Sequence, residues 1–350
     1  MSTELRYALP VEQTQWKIDG ATETVLRWEY DDGRDALLAL YDKGKRQQWD
    51  AATRIDWSLD LDPENPMGLP DEAISIHGSD IWRRLTAKER SNLRRHAHAF
   101  QISQFLHGEQ GALVCTAKIV QQVPQIDAKF YAATQVVDEA RHVEAYSRLL
   151  HDKFELAYPI TQPLKALLED TIGDRRWDFT YLGMQILIEG LALGAFQRIR
   201  DQAQNPLAAA VNAYVMQDEA RHVAFGRLAL RDYYPQLTEG ERGEREEFVV
   251  DACYLMRDRF LSAELWDGVG LPKKACMDYA ANSAALQNLR GRLFSRIVPT
   301  VKDIGLWGAK VQGAFADMGI LDMASLDADA MLAADNEVAR RFDAECARPA

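Results

Sequence analysis

The chain has few cysteines, no excess of positive charge and no long uninterrupted apolar run. Its four cysteines lie far apart in 350 residues, so a disulfide scaffold is not expected. The formal net charge of −12 argues against nucleic acid and anionic membranes as partners, because neither favours an acidic surface. The N-terminal residues lack the basic-then-apolar pattern of a signal peptide. Together these absences predict a cytoplasmic protein with reduced cysteines.

The most hydrophobic stretch, residues 181–196, contains a single carboxylate. It is shorter than the roughly 20 apolar residues that a bilayer span needs, so no membrane segment is expected. A helix that is apolar on all sides belongs in a protein core. Glu189 lies in this stretch, and a lone buried carboxylate is costly unless it is protonated, paired or bound to a metal ion.

Sustained β alternation is also lacking, apart from a short run at residues 25–30. The remaining pattern is helical and predicts an all-α protein. A capping-box sequence at residues 86–89 opens a long helix, and prolines separate the helices that follow. We expect an N-terminal segment at 1–84 that wraps the bundle, a four-helix bundle at 85–235, and further helices at 236–350 that pack on the bundle in the same domain. The long helices of the bundle are predicted at residues 86–123, 125–156, 176–203 and 206–234.

The pentapeptide Asp-Glu-Ala-Arg-His occurs twice, at residues 138–142 and 218–222. In both copies, a second Glu lies 30 residues before the Glu of the pentapeptide, within an apolar sequence that is expected to be helical. In an α-helix residues i and i+3 share a face, so the Glu and the His of each copy point together. Four carboxylates and two imidazoles in this arrangement are the set with which a four-helix bundle holds two metal ions in its core. The predicted metal ligands are Glu109, Glu139, His142, Glu189, Glu219 and His222.

A simpler interpretation is that these charged residues form a solvated helix face, as a single Glu-x-x-His usually does. A solvated face does not explain two identical pentapeptides, or a carboxylate at Glu109 between Phe105 and Leu113. Oxygen and nitrogen ligands without thiolate suit iron or manganese, although they do not exclude zinc. We therefore favour a dinuclear metal site.

Two further pairs of residues in the pentapeptides are candidates to support the ligands. Asp138 and Asp218 lie one turn before the histidines, where a carboxylate can orient an imidazole from behind. Arg141 and Arg221 are expected to pair with those aspartates.

By these motifs, residues 85–235 resemble the ferritin-like di-iron carboxylate proteins. This superfamily includes bacterial monooxygenase hydroxylases, acyl-carrier-protein desaturases, ribonucleotide reductase small subunits and arylamine N-oxygenases. The resemblance implies two iron ions, as Fe/Fe or Mn/Fe, that activate O2 to oxidise a substrate or a protein side chain. Electrons would come from a separate ferredoxin- or flavin-type reductase, because the chain shows no Gly-rich nucleotide-binding motif. We also expect a homodimer and a small-molecule substrate.

The two halves of the repeat differ one turn beyond the histidines, where Tyr146 matches Gly226. In ribonucleotide reductase small subunits a radical-bearing tyrosine occupies the position of Tyr146, and a phenol there is close enough to the metal ions to be oxidised. Tyr146 is equally compatible with a buried packing role. Against the reductase, residues 340–350 contain no tyrosine, whereas that family relays electrons through a C-terminal one. Gly226 could instead leave room for a substrate.

Other relatives also fit imperfectly. Monooxygenase hydroxylases carry a threonine where this chain has Leu193, and desaturases carry one where it has Ala192. Arylamine N-oxygenases have an additional histidine at the position of Val215, so a site with seven ligands is not expected.

The function that we predict is an O2-dependent di-iron oxygenase or oxidase that acts on a small organic molecule. A first alternative is a protein similar to a reductase subunit or a ligand-binding oxidase, whose metal site oxidises Tyr146. A second is iron storage or ferroxidase activity, although ferritins are much shorter chains. The apolar side chains expected to keep water from the metal ions are Phe105, Ile186, Leu193 and Phe196.

Overall fold

The computed structural model describes residue 18, residues 23–26 and residues 34–346. Within that part of the chain all regular structure is helical, which confirms the predicted all-α class. The run at residues 25–30 lies outside the described residues except for its first two, which form no strand. The α-helices in chain order are α1 (Asp35–Arg46), α2 (Ala51–Arg54), α3 (Asp80–Arg84), α4 (Ala87–Gln122), α5 (Ile126–Arg148), α6 (Gln162–Gly173), α7 (Trp177–Gln202), α8 (Pro206–Tyr233), α9 (Glu239–Arg259), α10 (Ala263–Gly268), α11 (Lys273–Ala281), α12 (Ala284–Phe294), α13 (Ile297–Asp303), α14 (Ala309–Asp317) and α15 (Ala328–Cys346).

The four long helices α4, α5, α7 and α8 form the predicted bundle. Three-residue connections at 123–125 and 203–205 join α4 to α5 and α7 to α8, and such short loops produce antiparallel neighbours. α4 packs along α5, α7 packs along α8, and α5 contacts α8. The internal repeat of the sequence is therefore a pair of helical hairpins that face each other.

Local sequence explains where two of these helices begin. The Thr86 hydroxyl accepts a hydrogen bond from the backbone N–H of Glu89, whose carboxylate accepts one from the backbone N–H of Thr86. This reciprocal capping satisfies donors that the first helical turn leaves free, and it confirms the predicted start of α4. At the start of α8, the Asn205 side chain accepts from the N–H of Ala208, and Pro206 occupies the first turn.

The helix predicted at 176–203 is irregular in its middle. Residues Tyr181–Ile188 are wound as a π-helix, and so are Leu149–Phe154 at the end of α5. Wider turns of this kind are common at functional sites because they re-aim side chains. Here the wide turn brings Gln185 against α8, where a Cβ added at Gly226 would lie 2.4 Å from the Cβ of Gln185. The prediction that Gly226 leaves room for a substrate is therefore wrong, because Gln185 fills that room.

Replacing Gly226 with alanine is expected to lower the free energy of unfolding by about 1–3 kcal/mol, because the new methyl group overlaps a buried side chain. Unfolding in denaturant, monitored by circular dichroism, measures this free energy. Gly243→Ala in α9 is the matched control: nothing lies within 4 Å of a Cβ there, so alanine should stabilise that helix by about 0.5–1 kcal/mol. Equal stabilisation by both variants would contradict the close packing of Gly226.

Helices outside residues 85–235 cover the bundle. α1 lies against α5 and α8, and the backbone N–H of Arg34 donates to Asp127 at the start of α5 (2.7 Å). From the C-terminal side, α15 packs on α8, and Arg227 of α8 forms an ion pair with Asp303 (2.6 Å). These contacts close the surface of the bundle around its core.

One helical stretch in the described part of the chain, Trp177–Gln202, is long and apolar enough to cross a membrane by composition. Of its most apolar window, 89% is buried inside the protein. The stretch is therefore the central helix of the core, as expected for a helix that is apolar on all sides.

Candidate metal centre

The six predicted ligand residues converge in the core of the bundle. Their ligand atoms form two groups whose members all lie within 4.8 Å of one another, and every residue in them is buried. Glu139 belongs to both groups, which therefore lie side by side. The first group is Glu109, Glu139, His142 and Glu219, and the second is Glu139, Glu189 and His222.

The two imidazoles mark the centres of the two half-sites. The Nδ1 atom of His142 lies 3.2 Å from Glu109, 3.4 Å from Glu139 and 3.1 Å from Glu219. The Nδ1 atom of His222 lies 3.1 Å from Glu139, 3.3 Å from Glu219 and 4.0 Å from Glu189. Glu139 and Glu219 each present one oxygen to each imidazole, whereas Glu109 and Glu189 each face one. Two carboxylates thus lie between the half-sites, and one closes each end.

The two aspartates of the pentapeptides lie behind the imidazoles in a crossed arrangement. The Nε2–H of His142 donates to Asp218 (3.1 Å), and that of His222 donates to Asp138 (3.3 Å). Each aspartate therefore contacts the histidine of the other pentapeptide. With Nε2 occupied in this way, Nδ1 presents its lone pair to the half-site.

The two arginines join both aspartates into one buried network. Arg141 donates to Asp218 (2.8 Å) and to Asp138, and Arg221 donates to Asp138 (3.3 Å) and to Asp218. The network also includes Trp49, whose indole N–H donates to Asp218 (2.8 Å). Trp49 lies outside the bundle helices, so this contact joins the N-terminal segment to the buried network.

The pKa values of the ligand side chains are shifted by burial and by the charges of their neighbours in the cluster. Burial raises the pKa of Glu109 and of Glu189 well above the usual value for a carboxyl group, and neighbouring glutamates add to the effect. Burial opposes a charge on His142, but the hydrogen bonds that its ring N–H groups donate to Asp218 and the glutamates outweigh this effect and raise the pKa of His142 well above its usual range. Without metal, the site therefore favours protons on several of its ligands.

Two glutamines make the half-sites unequal. Gln135 donates to Glu139 and to Glu189 (2.9 Å each), and it accepts a hydrogen bond from the amide of Gln185 (2.6 Å), which lies next to Glu189. By the internal repeat, the residues that match Gln135 and Gln185 in the other half are Val215 and Phe105. The Glu189 side is therefore held by amides, whereas the Glu109 side has apolar neighbours. Sequence reasoning missed both glutamines, although Gln185 stands out within its apolar stretch.

A cavity of about 180 Å3 opens onto the cluster, and Glu109, Glu189 and Glu219 form part of its wall. Most other wall residues are apolar, and they include the predicted Phe105 and Phe196. Ile186 and Leu193 are buried as well but do not line this cavity, so their part in excluding water stays a prediction. Ile186 lies next to Gly226 of α8, and Leu193 lines a separate small cavity together with Ala220 and Val223.

Tyr146 lies beside the first half-site. Its ring is completely buried, with centroids 5.8 Å from Phe105 and 5.9 Å from Phe196, and its hydroxyl donates to Asn212 (3.0 Å). Burial raises the pKa of Tyr146 well above its usual value, and Glu109 and Glu219 raise it further, so the phenol is neutral.

Among solved structures, the fold is similar to that of an R2-like ligand-binding oxidase with an aerobically reconstituted metal cofactor after photoconversion. That match has 16% sequence identity and a TM-score of 0.52, and it covers 81% of this chain and 100% of the other. A variant of the R2-like ligand-binding oxidase with an aerobically reconstituted Mn/Fe cofactor matches at 16% identity and a TM-score of 0.50, over 79% of this chain and 96% of the other. These matches confirm the ferritin-like fold. A comparison with curated protein sequences finds no significant match.

The family described as P-aminobenzoate N-oxygenase AurF matches residues 31–305, which is most of the chain. The match holds although Val215 replaces the additional histidine of arylamine N-oxygenases. The description names an enzyme that oxidises an organic molecule, so the predicted class of O2-dependent oxidoreductase is confirmed. By this match the chain belongs to the AurF N-oxygenase family.

Proposed function

We propose that the six clustered side chains hold two iron ions and that the protein uses them with O2 to oxygenate a small organic molecule in the adjoining cavity. The observation that carries this proposal is the sharing of Glu139 and Glu219 between two imidazole-centred donor groups. Two ions at such groups would have one imidazole each and two carboxylates between them, which is the pattern of di-iron carboxylate bundles.

The residues fit two divalent cations in charge and in donor chemistry. Four ionised carboxylates are neutralised by two divalent ions, which removes the cost of burying them. Within the described part of the chain, one oxygen of Glu139, one of Glu219 and the Nδ1 of His222 are buried without a hydrogen-bond partner. Unpaired buried polar atoms that face one another indicate a place for a cation. Carboxylate and imidazole donors suit Fe and Mn, so Fe/Fe and Mn/Fe both remain compatible.

The side chains around the cluster have separate tasks. When bound and reduced, a pair of iron ions supplies electrons and open positions for reaction with O2. Asp138 and Asp218 fix the tautomers of the two histidines by accepting their Nε2–H groups. Phe105 and Phe196 exclude water on the cavity side, and the substrate reaches the cluster there.

The electron supply and the cellular setting extend the proposal. Oxygenation of one substrate by O2 consumes two further electrons, and the chain carries no Gly-rich nucleotide-binding motif. A separate ferredoxin- or flavin-type reductase is therefore the proposed donor, and we place the enzyme in the cytoplasm as a homodimer. Gel filtration tests the dimer, and it also separates this proposal from an iron-storage cage.

An anaerobic titration of the metal-free protein with Fe(II) tests the proposal directly. We expect saturation at two ions per chain, and a change of the visible absorption spectrum after one pulse of O2. The absorption that appears after O2 should decay faster in the presence of an oxidisable substrate. Saturation at one ion or none would overturn the proposal and would mean that the paired pentapeptides form a structural ion-pair network or a site for another metal.

A second candidate is self-oxidation at Tyr146, which is supported by its position beside Glu109 and Glu219. For the oxygenase, Tyr146→Phe is expected to keep both iron ions and lower the free energy of unfolding by about 1 kcal/mol, through loss of the hydrogen bond to Asn212. Iron counting and denaturant unfolding check this prediction, and electron paramagnetic resonance after O2 exposure without substrate tests for self-oxidation. A tyrosyl radical in the wild type that disappears in Tyr146→Phe would favour self-oxidation. Tyr279→Phe, at an exposed tyrosine, is the control.

A further inference from the structure

Gln135 joins the two carboxylates that face His222. Its amide nitrogen donates to one oxygen of Glu139 and to one oxygen of Glu189, at 2.9 Å each. The oxygen of Glu139 that accepts this bond also faces the Nδ1 of His222 at 3.1 Å. Glu189 accepts with one oxygen and turns the other toward the same imidazole, at 4.0 Å. Gln135 therefore aims a shared and a terminal carboxylate at one half-site.

Gln135 is itself fixed on its other side. Its side-chain oxygen accepts a hydrogen bond from the amide of Gln185 (2.6 Å), and both glutamines are completely buried. Gln185 in turn packs against Gly226, where an added Cβ would lie 2.4 Å from the Cβ of Gln185. Because its donor and its acceptor are both engaged, the Gln135 amide has one orientation. The carboxylates that it bonds are therefore ordered by the protein itself.

The other half-site has no such side chain. The internal repeat places Val215 at the position that matches Gln135. Phe105 takes the position that matches Gln185. Neither side chain can donate a hydrogen bond, and no amide of the described residues donates to Glu109. At this half-site the ion has to order the Glu109 carboxylate when it binds.

Ordering a carboxylate in advance has two opposing effects on the binding of an ion. A hydrogen bond draws electron density from the carboxylate oxygen and weakens it as a ligand. It also spares the ion the entropy cost of fixing a long, flexible side chain. A carboxylate has about four lone-pair positions, so Glu139 and Glu189 can accept from Gln135 and still face an ion. Loss of such supporting bonds typically weakens metal binding about 10- to 100-fold, so the ordering effect is the larger one.

We propose that Gln135 is a positioning residue that makes the two half-sites unequal, so that the half-site of His222 binds its ion first and about 10- to 100-fold more tightly than the half-site of His142. The two ions then enter in a fixed order, and the ion at His142 is the last to enter and the first to leave. This order rests on the proposed dinuclear site and adds to it the residue that controls how the site is filled.

Titration of the metal-free full chain with Mn(II) in the absence of O2, followed by electron paramagnetic resonance, measures the order. Mn(II) suits a site that is rich in carboxylates. Its spectrum distinguishes an isolated bound ion from two ions that are magnetically coupled. We expect one equivalent to give isolated bound ions, and a second equivalent to convert them into coupled pairs. Coupled pairs from the first addition onward would mean that the affinities are similar, and would overturn the proposal.

Histidine variants identify the half-site that is filled first. His142→Ala should keep the tight binding step and lose the weak one, whereas His222→Ala should lose the tight step. Circular dichroism confirms that both variants are folded. The reverse pattern would place the tightly bound ion at His142 and overturn the proposal.

Variants of the supporting residues connect the order to Gln135. Gln135→Met keeps the length of the side chain without its donor, so the first binding constant should fall about 10- to 100-fold while the second changes little. Gly226→Ala should act in the same direction, because the new methyl group displaces Gln185 from its place beside Gln135. Val215→Ala, at the matching position of the other hairpin, is the control and should preserve the ratio of the two constants. A general loss of stability lowers both constants together, so an unchanged ratio in Gln135→Met would overturn the proposal.

The total number of bound ions separates this proposal from the proposed function. A chain that binds two ions with equal affinity would retain the dinuclear site and overturn the positioning role of Gln135. A chain that binds fewer than two ions would overturn the dinuclear site on which the oxygenase depends, and the order of filling with it.

Discussion

Replacing Glu139 with alanine is expected to weaken the binding of both iron ions by roughly 100- to 1,000-fold, more than replacing a carboxylate that faces one imidazole alone. Glu139 is the residue that belongs to both donor groups, with one oxygen 3.4 Å from the Nδ1 of His142 and the other 3.1 Å from that of His222. Its loss removes a donor from each half-site at once. It also leaves two buried imidazoles short of a carboxylate.

Two comparison variants make this result specific. Glu109→Ala removes a carboxylate that faces His142 alone, so the ion at His222 should remain. Glu144→Ala changes an exposed glutamate on the same helix and should leave both ions in place. Iron is counted per chain after desalting, and circular dichroism confirms that each variant is folded. If Glu139→Ala held two ions as tightly as Glu144→Ala, the shared position of Glu139 would be refuted.

The sequence was sufficient for the fold and for the set of clustered residues because both depend on local patterns that repeat. The Glu-x-x-His spacing places two side chains on one helix face. Apolar neighbours in the sequence indicate that Glu109 and Glu189 are buried. The same logic placed the helix start at Thr86. All of these inferences need only the neighbours of a residue along the chain.

The features that the sequence did not reveal depend on how helices are rotated against one another. The π-helical turn at Tyr181–Ile188 re-aims Gln185 toward Glu189, and no local pattern marks that turn. The packing of Gly226 against Gln185 follows from it. In the same way, Arg198 and Arg259 line one cavity although 61 positions separate them along the chain, and only the tertiary structure brings them to it.

The two half-sites differ in how firmly their carboxylates are held, and this difference indicates on which side a substrate reacts. Amide hydrogen bonds from Gln135 restrain Glu189 and Glu139. On the other side, no amide of the described residues donates to Glu109, which contacts His142 and lies in the same cavity wall as Phe105. A restrained carboxylate favours a fixed ion, whereas an unrestrained one can shift when a substrate or O2 arrives. We therefore expect the reaction to occur on the Glu109 side.

The second large effect is expected from the crossed aspartates. Asp218→Asn should weaken metal binding about 10- to 100-fold at the half-site of His142, and Asp138→Asn should do the same at that of His222. An asparagine keeps the shape of the side chain but loses the charge that holds the imidazole Nε2–H. Each variant is the matched control of the other, because both aspartates also pair with Arg141 and Arg221.

A double-mutant cycle distinguishes the crossed arrangement from one within each pentapeptide. If Asp218 acts through His142, Asp218→Asn should change metal affinity little once His142 is alanine, but fully when His222 is alanine instead. A pairing within one pentapeptide predicts the reverse. The expected result would mean that each ion depends on both helical hairpins, since the imidazole comes from one hairpin and its aspartate from the other. Metal binding would then join the two halves of the bundle, and loss of either aspartate should weaken that connection as well as the site.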